Sequence, residues 1–402
     1  MLSIVDIVKY VVAFFFLYAT VFFLLLAIQN RHAFTRPVPD TRFRPRITVI
    51  IPAYNEEKHI GRCLRSLLDV HYPQDKLEII VMDDGSTDGT YALARSIAKK
   101  NRIVKVYTQP NAGKAATLNA GIAHARGEII ATLDADSYVS RDAILKMLPL
   151  FDSEDVAAVT AAVHVRPKRN EGFLRTMQKL EYLFIVFSRK ILTFIDAVPV
   201  TPGPLSMFRA WVFERLGPFD EKNIMEDQEM ALRIQAADYR IRSSMDANVY
   251  TEVPENFGAL LNQRVRWHRG GLRNNLKYLR LMSPSYGDFG VMMMPMTFIA
   301  LFSMLALFVI TGGYYFSTSF YYSTSLGLES LLLGIEPLHI MGIFVMLFNI
   351  AWVLWGLWIF KNEKVNPFKL VLYLFVYLYL ITLYWFVAIL RELRAQRLSW
   401  DG

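Results

Sequence analysis

Long apolar stretches lie at both ends of this chain, and mixed polar sequence lies between them. Four runs are long enough to cross a bilayer as helices: Tyr10–Ile28, Val291–Thr311, Met341–Phe360 and Leu370–Leu390. As a helix, the first run is about 28 Å long, close to the thickness of the hydrocarbon core. The pattern therefore predicts one membrane helix before the central region and about three after it.

In the central region, short apolar runs rich in β-branched residues alternate with helix-like stretches. The predicted strands are Ile47–Ile51, Leu77–Met82, Val104–Tyr107 and Ile129–Leu133. The first intervening stretch places Ile60, Leu64, Leu67 and Leu68 on one helix face, a spacing typical of helices that pack on a sheet. The alternation predicts an α/β domain with a Rossmann-like, mostly parallel sheet.

Composition and charge agree with a membrane protein. Hydrophobic residues make up 53% of the 402 positions, and the formal net charge is +8. Next to apolar spans, this basic balance fits anionic lipid headgroups better than nucleic acid, so no nucleic-acid partner is expected. The single cysteine excludes an intrachain disulfide, and the seven histidines show no zinc-ligand spacing.

Basic residues predict the orientation of the chain. Five arginines follow the first apolar run: Arg31, Arg36, Arg42, Arg44 and Arg46. By the positive-inside rule, the N-terminus lies outside and the central domain lies in the cytoplasm. Because these arginines come after the apolar run rather than before it, we expect a retained anchor and not a cleaved signal peptide. Counting the spans puts the tail outside, whereas Arg391, Arg394 and Arg397 favour the inside, so one segment could be re-entrant or interfacial.

These patterns divide the chain into five regions. They are a membrane helix at 1–30, a basic cytoplasmic linker at 31–46, an α/β domain at 47–262, a basic interfacial helix at 263–288 and a membrane domain at 289–402.

Polar residues gather where predicted strands end, which is where open α/β sheets bind ligands. Ala53, Tyr54, Asn55 and Glu56 follow the first strand, Asp83 and Asp84 the second, and Asp134 and Asp136 the fourth. Since strand side chains alternate, we expect the last two carboxylates to face the same way and to share Mg²⁺ or Mn²⁺ with a diphosphate. Ordinary acidic turns are the structural alternative. The chain has no GxGxxG or P-loop sequence, which argues against an ordinary dinucleotide or ATP site.

Three further segments carry candidate chemistry. Lys114 opens a predicted helix, where it would either meet phosphate or remain a solvated surface residue. Glu226 and Asp227 open another helix, either because acids suit its positive end or because Asp227 is a general base with Glu226 beside it. Gly203 and Pro204 lie in a rigid loop, which is either a simple turn or part of the acceptor's entrance.

The last candidate segment is a basic amphipathic stretch that precedes the C-terminal spans. Gln263, Arg266 and Trp267 stand at i, i+3 and i+4 on one helix face, where the guanidinium could neutralise a diphosphate and the indole could stack on a sugar. A lipid-headgroup anchor is the structural alternative. The other basic residues of the stretch, which we expect to face lipid or water, are Arg264, Arg269, Arg273 and Lys277.

In their order, these segments resemble the processive, membrane-embedded family 2 glycosyltransferases, which include the poly-N-acetylglucosamine, hyaluronan, chitin and cellulose synthases. The matching segments are IIPAYNEE, DDGS, GKAATLNAGI, DADS, GPLS, ED and QRVRW. The resemblance covers nearly the whole chain. It implies a glycosyltransferase fold of the A type, a divalent cation, inversion at the anomeric carbon and extrusion of a growing polymer.

The resemblance also implies roles for individual residues. Asp84 would contact uracil, Asp134 and Asp136 the ribose, diphosphate and metal, and Asp227 would act as the base, while Gln263, Arg266 and Trp267 would hold the diphosphate and the acceptor end. The expected partners are a UDP-sugar, a polysaccharide acceptor, the plasma membrane and an accessory export subunit. VPENFGALLNQRVRW and the single preceding span resemble the poly-N-acetylglucosamine synthases, whereas GPLS resembles the hyaluronan synthases. UDP-N-acetylglucosamine is the favoured donor, and the sugar and linkage stay open.

Three other functions are alternatives to polymer synthesis. A lipid-phosphate sugar transferase shares the acidic domain but does not need Q-x-x-R-W. A transporter or receptor would need ionisable or broken helices inside the spans, yet the C-terminal runs are largely uncharged. A sugar nucleotidyltransferase would release diphosphate and has no evident need for membrane helices.

Overall fold

The computed structural model describes residues 4–35, 41–169, 171–306, 309, 337–360 and 366–394. The chain forms two compact units, of which unit 1 comprises Met1–Thr35 with Met292–Phe386 and unit 2 comprises Arg36–Val291 with Val387–Gly402. All candidate site residues lie in unit 2.

The helices of the described residues are α1 Ile4–Gln29, α2 His32–Thr35, α3 Ile60–Leu68, α4 Thr90–Ala98, α5 Lys114–His124, α6 Ala143–Met147, α7 Phe173–Thr193, α8 Trp211–Leu216, α9 Glu226–Ala236, α10 Phe257–Lys277, α11 Phe289–Ala306, α12 Pro337–Ile359 and α13 Pro367–Leu393. The strands are β1 Ile47–Ala53, β2 Leu77–Asp83, β3 Val104–Thr108, β4 Ile129–Thr132, β5 Tyr138–Val139, β6 Val156–Val165, β7 Ser206–Arg209 and β8 Arg240–Thr251.

In the described part of unit 2, these strands form one sheet in the order β3-β2-β1-β4-β7-β6-β8-β5. β1 pairs in parallel with β2 and β4, and β2 pairs in parallel with β3, so the four predicted strands and their parallel arrangement are confirmed. β7 runs antiparallel to β4 and β6 and joins this half of the sheet to the parallel pair β6–β8. β5 adds a short antiparallel edge on β8.

Alternation along β1 explains why helices cover both faces of the sheet. Ile47, Val49 and Ile51 belong to the core that includes Ile60 and Leu64 of α3. Ile50 points to the other face, where a Cβ built on Gly121 of α5 would lie only 2.4 Å from its Cγ2. A residue without a side chain at position 121 therefore lets α5 lie close to the sheet. This packing positions the start of α5 at the carboxyl edge of β1.

Three helices in the described residues are long and apolar enough to cross a bilayer: Asp6–Gln29, Phe289–Ala306 and Phe368–Leu393. Their positions agree with three of the predicted runs. The run predicted at Met341–Phe360 corresponds to α12, in which the apolar part, Met346–Ile359, is shorter. Part of the run predicted at Val291–Thr311, and the loop after it up to Glu336, lies outside the described residues.

Candidate active site

The carboxyl ends of β1, β2 and β4 bring the predicted polar segments together. Backbone hydrogen bonds join the segments directly, because Asp84 N–H donates to the Ala53 carbonyl at 2.8 Å and Leu133 N–H donates to the Ile50 carbonyl at 3.0 Å. Ala53 is buried, whereas Tyr54 is 44% exposed. The ends of three parallel strands thus form one edge, as expected for a ligand site in an open α/β sheet.

The segment after β1 is tied to the segment after β2. Asn55, whose φ of +56° lies in the left-handed region, donates its N–H to Ser86 Oγ at 3.0 Å and accepts the Thr87 N–H on Oδ1 at 2.9 Å. Glu56 N–H donates to Thr90 Oγ1 at 2.7 Å. Burial raises the pKa of the Glu56 carboxyl, although its contact with His59 lowers it. These bonds hold Asn55 and Glu56 beside the DDGS turn.

The carboxylates of Asp83 and Asp84 both accept hydrogen bonds from neighbouring residues of the protein. Asp84 accepts the Ala112 N–H on Oδ1 at 3.0 Å and the Gly113 N–H on Oδ2 at 2.9 Å. Asp83 Oδ2 accepts the Thr108 hydroxyl at 2.9 Å. The Asp84 carboxylate therefore fixes the backbone that leads into α5, and its contact with uracil stays a prediction.

The first residue of α5 joins two of the acidic segments. The Lys114 ammonium lies 2.6 Å from Asp134 Oδ1 and 3.3 Å from Glu226 Oε1, and only 21% of this side chain is exposed. Burial lowers the pKa of Lys114, but the charges of Asp134, Glu226 and Asp227 outweigh burial and raise it overall. The alternative of a solvated surface lysine is wrong, because Lys114 links the start of α5 to the turn after β4 and to α9.

Asp134 and Asp136 do not follow strand alternation, because β4 ends at Thr132 and both residues lie in the turn after it. The expectation that strand alternation makes the two carboxylates face the same way is therefore wrong. Asp134 faces Lys114, whereas Asp136 Oδ1 accepts the hydroxyls of Ser137 at 2.9 Å and Thr251 at 3.2 Å. Burial and the neighbouring charge of Asp134 raise the pKa of Asp136 to about 7. The turn thus keeps the two carboxylates close enough to repel each other while each has its own partners.

This pair of carboxylates fits a divalent cation that arrives with its substrate. Within the described residues, no group of three or more His, Cys, Asp or Glu side chains could form a metal cage. Mg²⁺ is often held by one or two carboxylates together with substrate phosphates, so a cage is not required. A cation beside Asp136 would also favour the charged carboxylate, which burial disfavours.

Glu226 and Asp227 form the first turn of α9, as the sequence predicts. The Glu226 side chain is 2% exposed. Asp227 Oδ1 accepts the Gln228 N–H at 2.7 Å, and the Asp227 carbonyl accepts the Thr201 hydroxyl at 2.7 Å. Burial raises the pKa of both carboxyls, and the Lys114 charge opposes that effect. The helix start therefore presents two acids that take up protons more readily than free carboxyls do.

The GPLS loop lies directly on this network. A Cβ built on Gly203 would lie 2.5 Å from Asp134 Oδ2 and 2.6 Å from the Lys114 Nζ. Leu205, two residues later, has a φ of +54° and is buried. Gly203 therefore lies against the Lys114–Asp134 pair, while a role for Gly203 and Pro204 at the acceptor's entrance stays a prediction.

α10 begins at Phe257 and so crosses the boundary that the sequence suggests at residue 263. The expectation that Arg264 and Arg269 face lipid or water is wrong, since these residues are 2% and 4% exposed. Each is paired with a glutamate distant in sequence, Arg264 with Glu181 at 2.5 Å and Arg269 with Glu392 at 3.0 Å. Burying an arginine requires such a partner, which local sequence does not reveal.

The remaining basic residues of that stretch are half exposed and paired. Arg273 lies 2.6 Å from Glu392, and Lys277 lies 2.9 Å from Asp220. Arg266 lies within electrostatic range of Glu226 and Asp227; burial lowers its guanidinium pKa, and these carboxylates oppose that. The predicted role of Arg266 in binding a diphosphate stays a prediction.

α7 supplies residues that the sequence analysis does not identify. Glu181 pairs with Arg264, and Arg189 is a 5% exposed guanidinium whose pKa burial lowers to about 10, against the opposing charge of Asp227. A signal was present, because Arg189 follows the apolar run LFIVF inside an amphipathic helix. A charge in such a run requires a buried partner.

Comparison with known proteins agrees with this geometry. Residues 48–217 match the family model described as glycosyl transferase family 2. The chain carries a family 2 glycosyltransferase domain. The matched range includes the AYNE, DDGS, Lys114 and DAD segments and Gly203, whereas Glu226, Asp227 and α10 lie beyond it.

Two relatives and one solved structure resemble this chain. The probable glycosyltransferase YdaM of Bacillus subtilis (strain 168) is 31% identical over 61% of this chain and 61% of its own length. The poly-beta-1,6-N-acetyl-D-glucosamine synthase of Staphylococcus aureus (strain COL) is 34% identical over 56% of this chain and 54% of its own length. Less than two thirds of each relative is therefore matched.

The solved structure is that of the mannosyltransferase PcManGT from Pyrobaculum calidifontis in complex with GDP-Man and Mn²⁺. It aligns over 97% of this chain and 100% of its own, with a TM-score of 0.66 and 22% identity. This likeness establishes the fold, which is the predicted glycosyltransferase architecture of the A type with apolar helices.

Proposed function

We propose that this protein is an inverting, membrane-bound glycosyltransferase that transfers N-acetylglucosamine from UDP-N-acetylglucosamine to a growing polysaccharide. The observation that carries this proposal is the network in which Lys114 joins Asp134, after β4, to Glu226, at the start of α9. Asp227 and Arg266 lie within electrostatic range of the same network. This arrangement supports the proposed roles of Asp134 in donor binding, of Asp227 as the base and of the Arg266 guanidinium at the leaving group.

The reaction is a single displacement. The acceptor hydroxyl oxygen forms a bond to the anomeric carbon while the bond from that carbon to the diphosphate oxygen breaks, and the electron pair leaves with UDP. Asp227 takes the hydroxyl proton as general base. Because the acceptor attacks from the face opposite the leaving group, the anomeric configuration inverts.

Other residues bind and orient the reactants. Glu226 lies next to the base and fixes Lys114, while Arg266 neutralises negative charge that develops on the leaving diphosphate. Asn55, Asp83 and the loop fixed by Asp84 border the nucleotide. Gln263 and Trp267 bind the sugar at the acceptor end of the polysaccharide.

Asp136, with Asp134, would hold Mg²⁺ or Mn²⁺ together with the diphosphate. When bound there, the cation supplies positive charge that stabilises the leaving group. The 34% identity to a poly-beta-1,6-N-acetyl-D-glucosamine synthase supports the choice of sugar. We further propose that the acceptor is a polymer extruded across the plasma membrane, with an accessory export subunit as partner.

A donor screen tests the reaction. Membranes containing the protein are incubated with radiolabelled UDP-sugars and Mg²⁺ or Mn²⁺, and the products are sized. We expect a high-mass product from UDP-N-acetylglucosamine that disappears when the cation is chelated. A lipid-linked monosaccharide as the sole product would contradict polymer synthesis and favour a lipid-phosphate sugar transferase.

The last turn of α13 supports a proposal about topology. Glu392 accepts hydrogen bonds from Arg269 Nε at 3.0 Å and Arg273 Nε at 2.6 Å, and Arg391 donates to Asn262 Oδ1 at 3.2 Å. All of these residues belong to unit 2, which holds the glycosyltransferase domain. We infer that the C-terminal end of α13 lies on the same side of the membrane as the catalytic residues, which favours the cytoplasmic side predicted from the C-terminal arginines.

Cysteine labelling tests this topology, since Cys63 is the single native cysteine and is buried. Ser399→Cys reports on the tail, and Glu154→Cys reports on the catalytic domain, because 91% of the Glu154 side chain is exposed. With a membrane-impermeant maleimide, we expect both variants to be protected in intact cells and labelled in inverted vesicles. Labelling of Ser399→Cys alone in intact cells would place the tail outside.

A further inference from the structure

Arg264 is the buried arginine of α10 that touches two predicted acceptor-side residues. It is among the largest fully buried side chains of the described residues, with 2% exposed. Glu181 of α7 binds it as a two-point fork, with Nε 3.0 Å from Oε1 and an Nη 2.5 Å from Oε2. This fork holds the guanidinium plane in one orientation. A buried ion pair is weak evidence that the pair stabilises the fold. Stability alone therefore does not explain why the guanidinium is held in one orientation.

The third edge of the guanidinium is bound to Gln263. The other Nη of Arg264 donates to Gln263 Oε1 at 2.5 Å. A guanidinium offers only donors, so the amide must turn its oxygen toward Arg264. The amide NH₂ group then remains as a pair of donors, which suits the hydroxyl oxygens of the acceptor sugar. Arg264 thus determines which end of the Gln263 amide is presented to a ligand.

The face of the same guanidinium lies on Trp267. Its central carbon is 4.1 Å from the Trp267 ring centroid and 6.0 Å from the ring of Tyr182. Trp267 also packs against the buried cluster that contains Val163, Val165 and Tyr182. Cation–π contact with a desolvated guanidinium restrains the indole. One ionic group thereby restrains both an amide and an aromatic ring of Q-x-x-R-W.

We infer that Arg264, clamped by Glu181, is a positioning residue that presents the Gln263 amide as a donor and supports the Trp267 ring for the acceptor sugar. The inference rests on the proposed glycosyl transfer for its catalytic meaning. It assigns a function to a residue between the glutamine and the arginine of the motif, and it holds whichever sugar is transferred. Neither Glu181 nor Arg264 takes part in a bond-making step.

The test compares two buried arginines of α10. Arg264→Lys keeps the positive charge but cannot bind Glu181 at two points and also reach Gln263. With UDP-N-acetylglucosamine and a short N-acetylglucosamine oligosaccharide, we expect transfer to fall about 100-fold, because the acceptor is misplaced by about 1 Å. UDP affinity and the rate of donor hydrolysis without acceptor should stay within about threefold of the values for the unmodified protein, because Arg264 acts on the acceptor side and distant sites are usually independent. Arg269→Lys, a 4% exposed arginine paired with Glu392, is the matched control and should leave the ratio of hydrolysis to transfer unchanged.

A double-mutant cycle shows whether Arg264 acts through Gln263. In a Gln263→Ala background, Arg264→Lys should reduce transfer much less than in the unmodified protein. Equal reductions in the two backgrounds would overturn the inference, as would an Arg264→Lys variant that transfers sugar as well as Arg269→Lys does. Loss of UDP affinity and melting temperature together with transfer would also overturn it, because the role would then be structural.

A readout that needs no turnover separates this inference from the proposed function. The Trp267 contribution to fluorescence is obtained by subtracting the spectrum of a matching Trp267→Phe variant, since the chain has seven tryptophans. We expect Arg264→Lys and Glu181→Gln to shift this difference spectrum to the red, and Arg269→Lys to leave it unchanged. An unshifted spectrum in the first two variants would refute the support of the ring, even if sugar transfer were confirmed.

Discussion

Replacing Asp227 by asparagine is expected to lower glycosyl transfer by about 10²- to 10⁴-fold while UDP affinity is retained. The amide has nearly the shape of the carboxylate, and its oxygen can still accept the Gln228 N–H that Asp227 Oδ1 accepts at 2.7 Å. It cannot take a proton from the acceptor hydroxyl. Initial rates at saturating donor, together with calorimetric titration of UDP, measure the two effects separately.

Asp220→Asn is the matched control, because Asp220 lies shortly before α9 and binds Lys277 at 2.9 Å outside the acidic network. Its turnover should stay close to that of the unmodified protein. If Asp227→Asn also keeps full turnover, Asp227 is not the base. If it loses UDP affinity in proportion to transfer, Asp227 belongs to donor binding instead.

The dependence of the transfer rate on pH is a second test of Asp227 as the general base. Burial raises the pKa of Asp227, and the opposing Lys114 charge is insufficient to cancel that effect. A base must be deprotonated to act, so transfer should fall as the pH drops through this raised pKa. The acid limb should therefore lie above the ordinary aspartate range near about 4. An acid limb at or below that range would contradict the assignment.

Local sequence was sufficient to predict the parallel half of the sheet that contains β1 to β4. β1 to β4 are short, apolar and separated by helices, and their periodicity identifies each of them. β6 and β8 are longer strands, and β7 joins them to β4 in antiparallel pairing. That pairing depends on contacts between Ser206–Arg209 and strands far away in sequence, so no local pattern indicates it.

The candidate site shows the same division between local and distant determinants. Asp83, Asp134 and Glu226 lie at strand ends or open helices, and position alone made them candidates. Local sequence predicts Arg264 to be a surface residue, because the partner that allows its burial, Glu181, lies 83 positions earlier. Helical spacing identifies the face of a residue, whereas the partner that covers that face comes from tertiary structure.

Replacing Gly203 by alanine is expected to lower transfer by about 100-fold with a much smaller change in thermal stability. The added Cβ would lie 2.5 Å from Asp134 Oδ2 and 2.6 Å from the Lys114 Nζ, which is too close for the present positions of these two side-chain ends. One of them must move, and the movement would also displace Glu226, which Lys114 contacts at 3.3 Å. The measurements are the initial rate of transfer and the melting temperature of the detergent-solubilised protein.

Gly172→Ala is the matched control, since a Cβ at that position would meet nothing within 4 Å. It adds the same methyl group at the start of α7 and should leave transfer unchanged. Unaltered transfer in Gly203→Ala would mean that the loop gives way without disturbing Asp134, and Gly203 would then be only a turn residue. A loss of transfer in Gly203→Ala alone would instead show that the close approach of this loop to the Lys114–Asp134 pair is required for catalysis. A methyl group is the sole change in that variant. The acids that it displaces are Asp134, which is proposed to hold the cation, and Glu226, which is proposed to flank the base.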